Sequence, residues 1–218
     1  MRADLVLVER ELARSRSHAA SLIDAGRVLI NGQPCRKASQ PVTEEAEIRV
    51  LEAVDFVSRA GHKLAAAFVE FGELQIVGKR ALDVGASTGG FTDVLLRNGA
   101  SHVVAIDVGH DQIVPELRSN PRVTVIEGFN ARELSEETLK AAGVLEANFD
   151  LVVADLSFIS LTLVLEQMMT VGPNSDLVLL IKPQFEVGKQ SLHASGIVND
   201  WTLRAGAIRQ VLDAAHDL

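Results

Sequence analysis

The stretch Asp83-Val84-Gly85-Ala86-Ser87-Thr88-Gly89-Gly90-Phe91 follows a short apolar run and precedes a helical pattern, and it decides the fold. Gly85 allows a tight turn after a strand, and the two adjacent glycines allow a helix to begin close to a ligand. Ser87 stands where a dinucleotide fingerprint has the glycine that lets the backbone approach a pyrophosphate, and Phe91 stands where a Walker loop has its lysine. The stretch therefore favours a nucleoside ligand without phosphates over NAD or FAD.

Five short apolar runs surround this turn and are separated by stretches long enough for crossover helices. They predict strands at residues 80–85, 102–107, 123–127, 149–155 and 177–182. Buried strands that alternate with helices are typical of a parallel, doubly wound, Rossmann-like α/β sheet. Ligands of such sheets bind beyond the carboxyl ends of the strands. The polar residues at those ends are therefore the first candidates for a site.

Two polar side chains at strand ends indicate the ligand. Asp107 lies about 20 residues beyond the glycines, where a carboxylate can accept hydrogen bonds from ribose hydroxyls, although it could instead cap a helix. Asn130 follows the third strand and could bind an adenine edge, or could simply form a turn. Together with the glycine turn, these positions predict S-adenosyl-L-methionine as the cofactor.

A lysine and an aspartate are expected to meet at the same edge of the sheet. Asp155 ends the fourth predicted strand and Lys182 ends the fifth, with Pro183 fixing that end. Adjacent parallel strands lie about 4.8 Å apart, so the two side chains can converge. The pair indicates proton handling, unless it is a structural ion pair. Lys63, at the start of a helix predicted over residues 63–71, is a candidate second cation or an ordinary exposed lysine.

The charge is distributed unevenly along the chain. The 218 residues include 29 acidic and 21 basic side chains, for a net charge of -8, which argues against nucleic acid as a partner. Residues 1–40, however, hold seven basic and four acidic residues, so they carry +3 and the rest carries -11. Since screening limits charge effects to about 10 Å at ordinary salt, the N-terminal segment can attract phosphates by itself.

The N-terminal segment predicts a small domain of two helices and short strands. Apolar spacing predicts helices near residues 5–13 and 19–25, with Ser15 or Ser17 as a cap and Gly26 as the end of the second. A strand at 27–33 runs into an Asn31-Gly32 turn, and another follows at 46–51. Basic side chains that could meet a phosphate backbone, or simply be solvated, are Arg2, Arg14, Arg16, Arg27 and Lys37.

This segment resembles the S-four RNA-binding domain, a small αL module, over roughly its first 55 to 60 residues. The resemblance rests on residues 2–5, 12–19 and 23–32. It implies that the basic side chains contact RNA.

Together with this segment, the rest of the chain resembles the TlyA family of rRNA methyltransferases, whose catalytic domain is similar to the FtsJ type, and the resemblance covers essentially the whole chain. The resemblance rests on Ser58-Arg-Ala-Gly-His-Lys63-Leu, residues 83–91, Asp155-Leu-Ser-Phe-Ile-Ser160 and Lys182-Pro-Gln-Phe-Glu-Val-Gly188. It implies methyl transfer from S-adenosyl-L-methionine to the ribose 2'-oxygen of cytidines in ribosomal RNA. It also implies that Lys182 is the base, that Asp155 orients it, and that Lys63 helps to hold the ribose.

The predicted cofactor residues combine the glycine turn with the strand ends. They are Asp83, Gly85, Ala86, Ser87, Thr88, Gly89, Gly90, Phe91, Asp107, Asn130 and Asp155. No metal is predicted.

The resemblance departs from the family at the C-terminus. The family completes a Lys-Asp-Lys-Glu tetrad with a glutamate in a strand after the helix that begins here near Trp201, and this sequence stops at Leu218. Glu186 belongs to another motif and is not a substitute. We therefore expect a sheet truncated by two strands, in domains 1–58 (S-four type) and 59–218 (FtsJ-like).

Composition restricts the alternatives. No apolar run reaches the roughly 18 residues of a membrane span, and the single cysteine, Cys35, excludes a disulfide framework. A cytoplasmic protein that binds ribosomal RNA or ribosomal subunits is expected. A non-catalytic RNA-binding or ribosome-assembly protein that retains cofactor binding is the alternative. The family has also been named haemolysin, which suggests a membrane-active protein. The sequence has no cationic amphipathic helix that would support this alternative.

Overall fold

The chain forms two compact units, Met1–Asp55 and Phe56–Leu218. The computed structural model describes residues 1–24, 26–51, 56–188 and 197–218. The division falls three residues before the predicted one at 58/59, and residues 52–55, which directly precede the division, lie outside the described residues.

The N-terminal unit combines two helices with a three-stranded antiparallel sheet. Its elements are α1 (Ala3–Glu9), α2 (Arg16–Asp24), β1 (Val28–Ile30), β2 (Gln33–Pro34) and β3 (Ile48–Val50). Strand β1 lies in the centre, in the order β2-β1-β3. The apolar side chains of both helices and of β1 pack into one core that includes Leu7, Leu22 and Val28.

Local sequence explains the turns of this unit. Ser15 Oγ accepts a hydrogen bond from the main-chain N–H of His18 at 3.2 Å, so Ser15 rather than Ser17 caps α2. Gly26 ends the helix with a φ of +67°, a conformation that glycine adopts without strain. Asn31 and Gly32 both have positive φ and form the two-residue hairpin between β1 and β2, as their dipeptide predicts.

The second unit is an α/β sheet. Its elements are α3 (Ala60–Glu70), β4 (Arg80–Val84), α4 (Gly90–Arg97), β5 (His102–Asp107), α5 (Pro115–Arg118), β6 (Val123–Glu127), α6 (Glu136–Ala141), β7 (Leu151–Ala154), α7 (Leu165–Val171), β8 (Asp176–Leu179), α8 (Pro183–Glu186) and α9 (Trp201–His216), with 3-10 turns at Ala131–Glu133 and Leu161–Leu163. The strands are all parallel, in the order β6-β5-β4-β7-β8.

Alternate residues of the strands face two separate cores. On β7, Val152 and Ala154 pack with α6, α7 and α9, whereas Leu151 and Val153 pack with α3, α4 and α5. Full burial of a side chain such as Leu82 contributes about 1.5–3 kcal/mol. Helices therefore cover both faces, and the predicted doubly wound α/β class is confirmed.

The predicted strand ends needed one substantial correction. Strand β8 ends at Leu179 rather than at residue 182, and Lys182 directly precedes the short helix α8. The reason is that β7 ends at Ala154, whose carbonyl pairs with the N–H of Leu180, and Pro183 then begins a helix. Asp155 directly follows β7, close to its predicted position.

The predicted helix at 63–71 begins three residues earlier, at Ala60, so Lys63 lies in its first turn. Within the described part of the chain, no helix is both long enough and apolar enough to cross a membrane.

Candidate active site

The glycine turn brings the start of α4 against neighbouring segments. Gly89 has a φ of +95°, and a Cβ there would lie 2.3 Å from a side-chain carbon of Leu117. A Cβ on Gly90 would lie 2.3 Å from Ser58 Oγ. Larger residues would therefore displace the turn, which explains why both positions are glycine.

Asp83 lies behind this turn and does not face a ligand. Its side chain is completely buried and accepts a hydrogen bond from Thr92 Oγ1 at 2.7 Å, which ties β4 to α4. Burial raises the pKa of Asp83 to about 7, against the opposing effect of the Thr92 hydrogen bonds. Asp83 is therefore placed to support the turn, and it lines neither of the cavities described below.

Asp107 links the turns that follow β4 and β5. Its carboxylate accepts hydrogen bonds from the main-chain N–H of Ser87 at 2.8 Å and of Gly109 at 2.7 Å. Ser87 Oγ also donates to Gln112 Oε1 at 3.0 Å. No helix among the described residues begins at Asp107, so the helix-cap alternative does not apply. A carboxylate has about four lone-pair sites, so this one can accept further bonds from a ligand.

A cavity of about 580 Å³ opens at the carboxyl ends of β4, β5 and β7. This volume lies within the 300–1,000 Å³ range of small-molecule sites. Its lining includes Gly85, Ser87, Asp107, Asn130 and Asp155, with apolar walls from Ile106, Phe129, Leu156 and Ile159. Among the described residues that line it there are two carboxylates and no lysine, arginine or histidine. The cavity therefore suits a cationic nucleoside rather than a phosphate ester.

Asn130 serves the turn as well as the cavity. Its Oδ1 accepts from the N–H of Arg132 at 3.1 Å and caps the 3-10 turn at Ala131–Glu133. Asn130 was predicted to bind an adenine edge or to form a turn, and the turn is present. The amide NH₂ group has no partner among the described residues and is left to face a ligand.

A carboxylate held between two lysines forms the chemical centre of the site. Asp155 Oδ2 lies 2.8 Å from Lys63 Nζ, and Asp155 Oδ1 lies 2.6 Å from Lys182 Nζ. Burial raises the pKa of Asp155, but hydrogen bonds from Lys182 and Lys63 outweigh it, so the pKa lies below its ordinary value. The aspartate is therefore ionised and fixed by both cations.

Buried hydrogen bonds fix the loop that carries Asp155. Glu186 in α8 is buried, and its carboxylate accepts hydrogen bonds from the N–H of Leu161 at 3.0 Å and from Ser160 Oγ. This glutamate thus joins the loop after β7 to the helix after Lys182. Its carboxylate is engaged in structure, in agreement with its exclusion from the tetrad.

Sequence reasoning missed two residues of this loop. Ser157 Oγ accepts a hydrogen bond from Lys182 Nζ at 2.8 Å. Phe158 has a φ of +65°, is 91% exposed and packs on Phe185 at a ring-centroid distance of 5.2 Å. Their proximity to Asp155 in the motif was the only available signal, because the contacts join segments 25 or more residues apart.

A second, smaller cavity of about 260 Å³ adjoins the first. It is lined by Ala60, Lys63, Gly85, Ala86, Ser87, Thr88, Phe91, Asp155, Ser157 and Lys182. Four residues, Gly85, Ser87, Asp155 and Ser157, line both cavities. A ligand in the first cavity and one in the second would therefore meet beside Asp155. Of the predicted cofactor residues, Asp83, Gly89 and Gly90 line neither cavity.

The predicted RNA-binding side chains of the N-terminal unit fall into two groups. Arg2 and Arg16 lie 2.9 and 3.0 Å from the carboxylate of Asp4, and Arg27 donates to the carbonyl of Leu51 at 2.9 Å. Arg14 and Lys37 are exposed, and their side chains have no ion-pair or hydrogen-bond partner among the described residues.

Within the described part of the chain, no group of three or more histidine, cysteine, aspartate or glutamate side chains is placed to hold a metal ion.

Family models and relatives agree with this arrangement. A model described as FtsJ-like methyltransferase matches residues 56–217, and one described as S4 domain matches residues 1–48. A protein of Mycobacterium tuberculosis named 16S/23S rRNA (cytidine-2'-O)-methyltransferase TlyA is 46% identical over 220 residues, covering 100% of this chain and 80% of the relative. The chain belongs to the TlyA family of FtsJ-like methyltransferases.

Other members of the TlyA family have different names. Hemolysin A of Brachyspira hyodysenteriae is 39% identical, covering 98% of this chain and 88% of the relative. A solved structure described as a hemolysin from Streptococcus thermophilus matches with a TM-score of 0.69 and 34% identity, covering 100% of this chain and 78% of that one.

Proposed function

We propose that this chain transfers a methyl group from S-adenosyl-L-methionine to the ribose 2'-oxygen of a cytidine in ribosomal RNA. The observation that carries the proposal is the position of Asp155, between Lys63 and Lys182, on the wall that two adjoining cavities share. The names of the relatives support the choice of acceptor.

The larger cavity fits S-adenosyl-L-methionine. The apolar walls suit an adenine ring, Asp107 can accept hydrogen bonds from ribose hydroxyls, and the carboxylates of the lining favour a sulfonium cation. A dinucleotide or nucleoside triphosphate would bring phosphates to a wall without basic groups among its described residues.

The chemistry requires a proton to leave the acceptor hydroxyl. When bound, S-adenosyl-L-methionine supplies an electrophilic methyl group. Lys182 would accept the 2'-hydroxyl proton as that oxygen bonds to the methyl carbon, while the bond from carbon to the sulfonium sulfur would break and S-adenosyl-L-homocysteine would leave. Of the two lysines, Lys182 is the less exposed, with 16% of its side chain accessible against 48% for Lys63, and it lines the smaller cavity, where the hydroxyl would lie.

The other two charged groups position the reactants. Asp155 holds Lys182 at 2.6 Å and stabilises the ammonium that forms when the amine takes the proton. Lys63 anchors the other carboxylate oxygen and lines the smaller cavity, where it can hold the ribose.

The N-terminal unit is proposed to dock the RNA. Its match to the S4 domain and the net charge of +3 on residues 1–40 support this role, with Arg14 and Lys37 as the exposed cations best placed to meet phosphates. The proposed substrate implies a cytoplasmic protein.

The test is transfer of a tritiated methyl group from S-adenosyl-L-methionine to ribosomal subunits that lack the modification. We expect the label in 2'-O-methylcytidine after digestion of the RNA to nucleosides. A chain that binds the cofactor calorimetrically and binds the subunits, yet transfers no methyl group, would instead be a non-catalytic RNA-binding protein.

A further inference from the structure

Lys182 makes a contact that the proposed mechanism does not use. Besides Asp155 Oδ1 at 2.6 Å, its Nζ lies 2.8 Å from Ser157 Oγ. The carbonyl oxygen of Asp155, at 3.5 Å, is at the limit of hydrogen bonding. Ser157 is exposed and lines both cavities, so this hydroxyl lies at the junction between them.

Ser157 Oγ is the close hydrogen-bond acceptor of the Lys182 amine, since Asp155 Oδ1 contacts it as an ion-pair partner and accepts no hydrogen bond. An unprotonated lysine has two N–H groups and one lone pair around a tetrahedral nitrogen. Ser157 Oγ accepts one N–H, and Asp155 Oδ1 attracts a second by charge at 2.6 Å, so the lone pair of the neutral amine is left to a remaining position. Lys182 also lines the smaller cavity, which is where an acceptor hydroxyl would lie.

We infer that Ser157 is a positioning residue, which directs the lone pair of Lys182 at the acceptor hydroxyl. The inference rests on the proposed function. When the amine takes the proton, the third N–H appears where the lone pair was, and the contacts with Ser157 Oγ and Asp155 Oδ1 need not change. The base is thus oriented before the reaction begins, which avoids reorganisation during it.

The loop around Ser157 is built to hold this position. Glu186 binds Ser160 and Leu161 and thereby fixes the loop to α8, whose first residue follows Lys182. Lys182 and Ser157 therefore lie on segments that Glu186 joins independently of the 2.8 Å hydrogen bond between them.

The first experiment compares Ser157→Ala with Ser157→Thr by steady-state methyl transfer. We expect the alanine variant to lose about 10- to 100-fold in kcat with little change in KM for RNA or in cofactor affinity, the cost of a misoriented reactive group. Threonine, which retains the hydroxyl, should restore most of kcat. Ser119→Ala is the matched control, because that hydroxyl binds the carbonyl of Pro115, away from the site.

A double variant separates positioning from a structural role. If Ser157 acts through Lys182, Ser157→Ala should not lower the residual rate of Lys182→Ala any further. A further loss, an unchanged kcat in Ser157→Ala, or a threonine variant as slow as alanine would overturn the inference. If the parent chain transfers no methyl group, or if Lys182→Ala retains the parent rate, the proposed base assignment fails and the inference fails with it.

A measurement without substrate checks the bond itself. In ¹⁵N NMR of the lysine amines, the Lys182 signal, assigned with Lys182→Arg, should exchange its protons with water faster in Ser157→Ala than in the parent or in Ser157→Thr. Equal exchange in all three would contradict the hydrogen bond.

Discussion

Each unit of the chain holds a carboxylate between two cations. Asp4 lies between Arg2 and Arg16 with 5% of its side chain exposed, and Asp155 lies between Lys63 and Lys182 with 11% exposed. The cations lower the pKa of both aspartates. The two arrangements are electrostatically alike, but of these two aspartates Asp155 is the one that lines the cavity at the strand ends.

The difference lies in the proton chemistry of the cations. An arginine guanidinium stays protonated in proteins, so the Asp4 cluster can only join the residue before α1 to the start of α2. A lysine ammonium can lose its proton, so the Asp155 cluster can also act as a base. Of these two clusters, the lysine cluster is therefore the one whose cations can exchange a proton.

The largest expected effect comes from replacing Lys182 in the Asp155 cluster by arginine, which is the cation of the Asp4 cluster. Lys182→Arg retains a positive charge beside Asp155 but removes the group that accepts the proton. We expect methyl transfer to fall roughly 10²- to 10⁴-fold, the usual contribution of a general base, while the melting temperature changes little. Radiolabelled transfer and thermal unfolding measure the two quantities.

Lys79→Arg is the matched control for this variant. Lys79 pairs with Asp176 at 2.5 Å at the opposite edge of the sheet, so its replacement should leave transfer at the parent rate. Near-parent activity in Lys182→Arg would show that a fixed charge is sufficient and would remove the distinction between the clusters.

A second variant removes the carboxylate from the lysine cluster. Asp155→Asn keeps the shape of the side chain but no longer pairs with either ammonium, so Lys182 loses its alignment. We expect a single-turnover rate roughly 100-fold lower at saturating cofactor and RNA. An undiminished rate would mean that Asp155 does not position the base.

The corresponding change in the arginine cluster should affect stability rather than catalysis. The Arg2 hydrogen bond, together with Arg16, lowers the pKa of Asp4 to about 2, so its stabilising contribution is present above its ordinary pKa of about 3.9 and is lost as the pH falls towards 2. Asp4→Asn should therefore weaken amide protection in β1 at neutral pH and remove this part of the acid dependence. Hydrogen exchange on the full chain measures both. Identical hydrogen exchange in the parent and in Asp4→Asn, at neutral pH and at acid pH, would contradict this prediction.

The smallest expected effect is on RNA binding. It distinguishes Arg14 and Lys37, whose side chains have no partner among the described residues, from Arg16, which pairs with Asp4. Replacing Arg14 and Lys37 by alanine should reduce the slope of log K against log salt for RNA binding by about 0.7 for each phosphate that the variant no longer neutralises. Lys140→Ala, an exposed lysine of the second unit, is the control and should leave the slope unchanged. If Arg16→Ala lowered the slope as much as Arg14→Ala, Arg16 would not be committed to Asp4.

The fold could be predicted because its determinants are local. Glycines at 85, 89 and 90 meet backbone requirements that any parallel sheet imposes at such a turn, and the apolar runs of the five strands are separated by helical lengths. The meeting of Asp155 and Lys182 followed from the adjacency of their strands, which β7 and β8 confirm.

The features that could not be predicted from the sequence depend on contacts between distant segments. Lys182 reaches Asp155 from beyond the strand, because β8 ends at Leu179 whereas the apolar run predicted strand to residue 182. The pairing of Arg16 could not be predicted because its partner, Asp4, lies twelve residues earlier in the chain. The glycine motif predicted that Asp83 contacts the ligand, but its side chain is completely buried behind the turn.

The buried carboxyl of Asp83 has a consequence for the proton balance of folding. Its pKa is about 7, whereas an aspartate of the unfolded chain has a pKa near 3.9, so folding near pH ~5.5 takes up about one proton at this residue. Its contribution to stability therefore declines as the pH rises from about 4 through 7. The calorimetric enthalpy of unfolding at that pH should accordingly vary with the ionisation enthalpy of the buffer, and Asp83→Asn should remove that part of the variation.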